Sequence, residues 1–307
     1  MRVIITGGSG MIGRALARNL ADDGHEVIVL SRGPERATRL PDRVRAERWD
    51  GRSAEGWAAR VDGADAIVNL AGENIGGTTL LEILFGHWTP ERKRRILASR
   101  VNAGRAVVQA IERAAHKPKL VVQSAAVGYY GTGREAPQPE SSPPGDDFLA
   151  RVCVDWEAST ARVESMGVRR VVFRSGVVLT PLGGILPLLL LPFRLFAGGR
   201  LGSGNQWFPW VHIDDQVAAI RFAIENDRAR GTFNLCAPHT LRNREAVPII
   251  ARALRRPAWL PVPAFALRLL LGEKNILVLD GQQAPPDRLV GLGFKFLRPR
   301  LEDALRA

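Results

Sequence analysis

Met1-Arg2-Val3-Ile4-Ile5-Thr6-Gly7-Gly8-Ser9-Gly10-Met11-Ile12-Gly13 is the stretch on which the fold turns. An apolar, β-branched run leads straight into glycines spaced three apart, and a helix-like segment, 14–20, follows without a break. That order is a strand, a tight turn and a helix start. Gly7 permits the sharp reversal, Gly10 lacks the Cβ that would hold a pyrophosphate off the backbone, and Gly13 lets helix and strand pack closely. Free N–H groups of the first helical turn, at Met11 and Ile12, would then face an anion along the helix dipole. A second apolar strand, 26–30, closes a βαβ unit, which favours a phosphate cradle over a glycine turn without a ligand.

With 307 residues, 46% hydrophobic and 24% charged, the chain can bury a full core in one large domain or two smaller ones. Its most apolar stretch, 185–197, is broken by Pro187, Pro192 and Arg194 and falls short of the roughly 20 residues needed to cross a bilayer, so no membrane partner is expected. No secretory leader is recognisable before the first strand, and Cys153 and Cys236 stand far apart without metal-ligand spacing. A cytoplasmic protein with no disulfide framework and no metal is the expectation. The net charge of +12 raises nucleic acid or anionic small molecules as partners. Only five of the 43 basic residues are lysine, and the densest basic runs, 92–95 and 252–256, fall on expected helices with no interleaved aromatics. Solvated helix faces are expected there, and nucleic acid is disfavoured.

After the second strand come Ser31 and Arg32. An acidic residue there would hold the ribose 2′-hydroxyl of NAD, whereas a hydroxyl followed by arginine suits a 2′-phosphate, so the expected cofactor is NADP. The plainer alternative makes Arg32 the first exposed residue after a strand; Arg36 and Arg39 are further loop cations. A third strand, 45–50, ends at Asp50, placed to reach an adenine amino group. A fourth, 66–70, runs into Leu70-Ala71-Gly72, small residues where a cofactor would pass. Thr89-Pro90-Glu91 opens a long helix, 91–115, with Arg100 near its middle either beside the cofactor or on the surface. The fifth strand, 120–123, ends at Ser124, and the sixth is 169–174.

Together with the glycine motif, several stretches resemble the extended short-chain dehydrogenase/reductases, the nucleotide-sugar epimerase type. They are Asn69-Leu70-Ala71-Gly72-Glu73-Asn74-Ile75, Gly128-Tyr129-Tyr130, Pro144-Gly145-Asp146-Asp147-Phe148-Leu149, Arg174-Ser175-Gly176-Val177-Val178-Leu179, Leu201-Gly202-Ser203-Gly204-Asn205-Gln206-Trp207 and Val211-His212-Ile213-Asp214-Asp215. More closely, they look like the atypical epimerase-family branch, the 39U type. The resemblance spans nearly the whole chain. It implies an α/β fold with a Rossmann-like doubly wound parallel sheet, and hydride transfer to or from a small carbonyl or alcohol substrate. It also implies that Val178 borders the nicotinamide.

In extended members of that superfamily a Ser or Thr on strand five, a Tyr and a Lys four residues on carry the proton chemistry. Here the serine is Ser124, and the only tyrosines, Tyr129 and Tyr130, are followed four residues later by Gly133 and Arg134. On the helix expected over 147–162, the dyad positions carry Leu149 and Cys153. The usual pair is therefore absent, and the catalytic candidates are Ser124 to orient substrate and Tyr129 or Tyr130 either as proton donor or as packing. The expected division is a cofactor domain, 1–179, rejoined by 211–237, with a smaller carboxy-terminal substrate region from 180–210 and 238–307. The aromatic cluster at 206–210 serves either as core or to stack on substrate. His212 and the aspartates after it are expected to be structural, with Asp215 capping the helix that follows. A reading from another class is an NADP-binding sensor or scaffold without catalysis.

Overall fold

Strands that are apolar at consecutive positions must be covered on both faces, which a parallel sheet between helices achieves. The computed structural model describes the chain apart from residues 34–40, 42, 78, 182 and 307. β1 (Arg2–Thr6), α1 (Met11–Asp22), β2 (Glu26–Ser31), β3 (Val44–Arg48) and β4 (Ala66–Asn69) open the chain. They are followed by α2 (Leu80–Phe85), α3 (Pro90–Arg113), β5 (Leu120–Ala126), α4 (Phe148–Ala158) and β6 (Arg169–Ser175). The main sheet gains its last strand, β11 (Gly231–Leu235), after an excursion. Its order is β11-β6-β5-β4-β1-β2-β3, and every pairing is parallel. The order reverses between β1 and β4, the crevice where ligands of doubly wound sheets bind.

One face of the sheet, with Val3, Ile5 and Phe173, packs against Leu16 and Leu20 of α1 and Ile220 of α6 (Ile213–Glu225). The other, with Ile4 and Ile67, packs against Val107 and Ile111 of α3 and the buried Trp57. The excursion holds β7 (Val177–Thr180), β8 (Gly183–Gly184), α5 (Leu186–Arg194), β9 (Trp207–Phe208) and β10 (Trp210–His212). β7, β8 and β10 form a separate three-stranded sheet, so the chain leaves the main sheet after Ser175. β12 (Leu241–Arg242) pairs with β9, and α7 (Asn243–Leu254) and α8 (Ala264–Leu271) follow.

Two local expectations are corrected. β3 stops at Arg48, leaving Asp50 in the following loop. Asp215 does not cap α6: the His212 ring accepts the Asp214 N–H through Nδ1, while the Asp215 carboxylate accepts the N–H groups of Leu297 and Arg298 and ties the carboxy-terminal segment to α6. His212 occupies the position just before the first helical residue, where a side chain meets the free N–H groups of the first turn, whereas Asp215 is already inside the helix. Burial holds the His212 pKa below its ordinary value, which suits a structural cap.

Candidate cofactor cleft and substrate cavity

The opening glycines are held by geometry. Gly7 has φ +66, and a Cβ there would stand 2.9 Å from the Ala71 backbone; one at Gly13 would stand 2.4 Å from Gly8 Cα. At Gly10 the nearest atom is the Gly7 carbonyl oxygen at 3.1 Å, and the residue is exposed. Packing thus requires Gly7 and Gly13, whereas the space beside Gly10 opens to the crevice. No side chain caps α1 and no acidic residue lies in its first turn, so the N–H groups at Met11 and Ile12 keep their donors for an anion. Ile12, Leu70 and Val178 are partly buried and each packs against the same apolar core. Gly184 of β8 comes over Met11, where a Cβ would be 3.0 Å from its Sδ. Beneath the crevice a buried chain links three strands. The Thr6 hydroxyl donates to Asn69 Oδ1 at 2.6 Å, Asn69 Nδ2 to Gln123 Oε1 at 2.9 Å, and Gln123 Nε2 to the Ser124 carbonyl at 2.6 Å.

Ser31 is buried and its hydroxyl donates to Ser9 Oγ at 2.9 Å, joining the end of β2 to the glycine turn. Arg32 beside it is exposed and has no carboxylate partner among the described residues. Arg36 and Arg39 lie outside the described residues. Asp50 is engaged in its own loop, accepting the N–H groups of Arg52 and Ser53 and the Ser53 hydroxyl at 2.8 to 2.9 Å. Burial works upward on its pKa, but those hydrogen bonds hold the carboxyl below its ordinary value.

Between the carboxyl ends of β5 and β6 and the inner face of α4 lies a cavity of about 260 Å³. Ala126 and Gly128 form one wall, Leu149, Cys153 and Trp156 of α4 a second, and Ser175 to Val177 a third. Trp207 to Pro209 and Ile276 to Val278 close it. The aromatic cluster is thereby divided: Trp207 and Phe208 line the cavity, whereas Trp210 is buried in an apolar cluster with Leu179, Phe193 and Ile250.

The three catalytic candidates do not reach this cavity. Ser124 stands two residues short of Ala126 on the same face of β5, and it is Ala126 that lines the wall. Tyr130 is fully buried, its hydroxyl donating to Asn234 Oδ1 at 2.6 Å and accepting from Arg174, and burial pushes its pKa up to about 12. The Tyr129 ring lies under the Arg174 guanidinium at 3.3 Å. Both phenols pack with Val127, Cys236 and Ala284 in a small apolar cluster and are not among the residues lining the cavity. Leu149 and Cys153 do line the cavity, one helical turn apart on α4. Burial pushes the Cys153 thiol up to about 12, so it is neutral at physiological pH.

Arg100 is 6% exposed, which removes the surface alternative. Its Nη1 donates to the carbonyls of Glu73 and Ile96, its guanidinium lies 4.8 Å from the centre of the Trp156 ring, and it lines the cavity. Burial lowers its pKa to about 10. Sequence reasoning missed Ser175 and Trp156. The signal for Ser175 was its place in Arg174-Ser175-Gly176, a hydroxyl at a strand end before a glycine; Trp156 carried none beyond its helix. Among the described residues no three His, Cys, Asp or Glu side chains gather as a metal site, and no helix is long and apolar enough to cross a membrane. In the 92–95 run, Lys93 pairs with Glu273 and Arg95 with Glu91 and Glu73.

Parallel topology, a glycine turn under an uncapped helix, and a cavity at neighbouring strand ends define a dinucleotide-binding α/β protein of the short-chain dehydrogenase/reductase kind. Residues 3–236 match the sequence profile of the NAD dependent epimerase/dehydratase family, to which the chain belongs, and residues 262–307 match a domain of unknown function, DUF1731. More narrowly, the chain is similar to SDR39U1-type epimerase-family proteins. The chloroplastic SDR39U1 homologue of Arabidopsis thaliana is 41% identical over 315 residues, covering 100% of this chain and 86% of that protein. The crystal structure of human SDR39U1 (isoform 2) with NADPH superposes with a TM-score of 0.87 at 35% identity, covering 100% of this chain and 98% of that one. A nucleoside-diphosphate sugar epimerase from Corynebacterium glutamicum superposes with a TM-score of 0.76 at 32% identity, covering 99% of this chain but 57% of that one.

Proposed function

We propose that the protein is an NADP-dependent oxidoreductase or epimerase-like enzyme acting on a small carbonyl or alcohol by hydride transfer. Residues 1–179 and 211–237 hold the cofactor, and 180–210 and 238–307 build the substrate side. The observation that carries this reading is the open space at Gly10 before the uncapped start of α1, with a cavity at the carboxyl ends of β5 and β6 of the same sheet. The residues fit the cofactor: the open space at Gly10 and the uncapped α1 take its pyrophosphate, and Arg32 takes its 2′-phosphate. Leu70, Ala71, Gly72 and Val178 flank its path, with Asp50 at the adenine end. When bound, NADPH would supply a hydride to a carbonyl carbon and be left as NADP⁺, and the carbonyl oxygen would take its proton from water to give the alcohol.

Ser175 is the hydroxyl available to bind that oxygen, since the residue lines the cavity and its buried Oγ has no partner among the described residues. Human SDR39U1, crystallised with NADPH, supports the choice of cofactor. A second reading, an NADP-binding sensor or scaffold, is favoured by one observation: the dyad positions on α4 carry Leu149 and Cys153, neither of which is an acid or base near pH 7.

NADPH incubated with a panel of small aldehydes and ketones separates the two. Oxidation that falls about a hundredfold in Ser175→Ala is the enzyme result; tight NADPH binding with no turnover on any carbonyl is the sensor result. The cofactor assignment has its own check by fluorescence titration. Arg32→Ala is expected to weaken NADPH by about tenfold while leaving NADH within about twofold, in keeping with loss of one charge-assisted contact. Equal losses for the two would remove Arg32 from the 2′-phosphate.

A further inference from the structure

Residues lining the cavity carry buried donors that have no acceptor among the described residues. Of the buried side-chain nitrogen and oxygen atoms without a hydrogen-bond partner among the described residues, Arg100 Nε, Trp156 Nε1 and Ser175 Oγ all belong to residues lining it. The first two can only donate. Among the described residues no carboxylate pairs directly with Arg100, and Glu73 acts on it only from beyond salt-bridge distance. Glu73 gives it a main-chain carbonyl, while the Glu73 carboxylate turns to Arg95. A buried charge left unpaired is unfavourable, and a ligand that brings an anionic acceptor relieves it.

The acidic groups of the cavity lie elsewhere. Asp147 precedes Trp156 by nine residues, about 13 Å along the helix, and its carboxylate accepts the N–H groups of Ala150 and Thr132. Gln282 donates to the Gly131 carbonyl, and Gly131 abuts the Asp147 carboxylate; Asp280 is the other aspartate of the lining. The cavity therefore has the Asp147 carboxylate at one end of α4 and the donors of Arg100 and Trp156 at the other, with Leu149 and Val152 between them on the helix and Phe208, Ile276 and Asp280 also on its walls.

We propose that the cavity takes a compact, largely apolar carbonyl compound bearing a carboxylate, the carboxylate seated on Arg100 Nε and Trp156 Nε1 and the reacting oxygen on Ser175 Oγ, and that it does not take a nucleoside-diphosphate sugar. This rests on the hydride-transfer reading above for the carbonyl, though not for the carboxylate. Size and charge both oppose a nucleotide sugar. At about 260 Å³ the cavity lies below the usual range for ligand pockets, about 300–1,000 Å³. Arg100 is the one lysine or arginine among its described lining residues, against two aspartates. A diphosphate has no second cation to meet, and a hydroxyl-rich sugar would leave its own polar groups against the aliphatic middle.

Calorimetric titration of the NADP⁺-loaded protein with phenylacetate, phenylacetamide and UDP-glucose tests the assignment. Phenylacetate is expected to bind at least tenfold more tightly than the amide, the difference expected of a hydrogen bond to a charged group. Arg100→Met and, as a change that keeps the ring, Trp156→Phe are each expected to reduce phenylacetate to or towards the amide's affinity, with NADP⁺ affinity unchanged within about threefold. The proposal is overturned if acid and amide bind alike, if UDP-glucose displaces phenylacetate, or if Arg100→Met costs as much NADP⁺ affinity as phenylacetate affinity, which would return Arg100 to the cofactor. Benzoylformate with NADPH distinguishes this failure from failure of the enzyme reading. Carboxylate binding without benzoylformate reduction supports the ligand class and removes catalysis. Reduction of neutral ketones, unaffected by Arg100→Met, keeps catalysis and removes the ligand class.

Discussion

Replacing Arg174 by methionine is expected to lower folding stability by about 3–5 kcal/mol, the range for breaking a buried ion pair from one side, measured as the shift of a urea unfolding curve. Arg174 Nε and Nη2 meet the two oxygens of Glu157 at 2.8 and 3.0 Å, with the side chains 5% and 12% exposed. Nη1 donates to the Tyr130 hydroxyl and the Glu140 carbonyl, each at 3.2 Å, and the guanidinium covers the Tyr129 ring. Methionine fills much of the volume but leaves the Glu157 carboxylate buried and unpaired. Adding Glu157→Gln to Arg174→Met should recover part of the loss, because the second change removes the orphaned charge; additive losses would show that the two side chains do not act as a pair. A loss below about 1 kcal/mol for the single variant would mean that solvent reaches Glu157 and the pair is ordinary surface electrostatics. The same network explains why the two tyrosines are not free for proton chemistry: one lies beneath the cation and the other is bonded on both sides of its hydroxyl.

Those tyrosines illustrate how the sequence could and could not be read. Backbone periodicity and glycine spacing depend on neighbours a few residues apart, so the parallel sheet, α1 and α3 were legible, and the register of α4 was legible enough to put Leu149 and Cys153 on the cavity wall. Side-chain destination depends on contacts from distant segments. Tyr130 is held by Asn234 and Arg174, 104 and 44 residues away, and nothing near Tyr130 announces them. Ser124 stands short of the cavity for a smaller reason. β5 runs on to Ala126 instead of stopping at Gln123, which moves the strand end, and with it the cavity, two residues further along. Arg100 sat in a run of arginines on a helix and could be assigned only by burial against Trp156.

The opening glycines give the second large effect, because two of them answer to different constraints. At Gly13 an added Cβ would stand 2.4 Å from Gly8 Cα and 2.7 Å from the Gly7 carbonyl oxygen. Those are backbone atoms of the same turn and cannot swing aside as a flexible side chain could. Gly13→Ala is therefore expected to cost about 3 kcal/mol or more of stability, at the upper end for overpacking, and to abolish detectable NADPH binding by spreading the turn from α1. At Gly10, with φ −71 already suited to any residue and only the Gly7 oxygen at 3.1 Å nearby, alanine fits the fold. Gly10→Ala should leave stability within about 1 kcal/mol and still weaken NADPH by about a hundredfold, roughly 2.7 kcal/mol, since its methyl group enters the space assigned to the pyrophosphate. Thermal unfolding and fluorescence titration on the same two proteins decide between fold and ligand. If Gly10→Ala binds NADPH as tightly as the parent protein, the pyrophosphate does not pass over this turn, and the cofactor assignment built on the opening stretch falls with it.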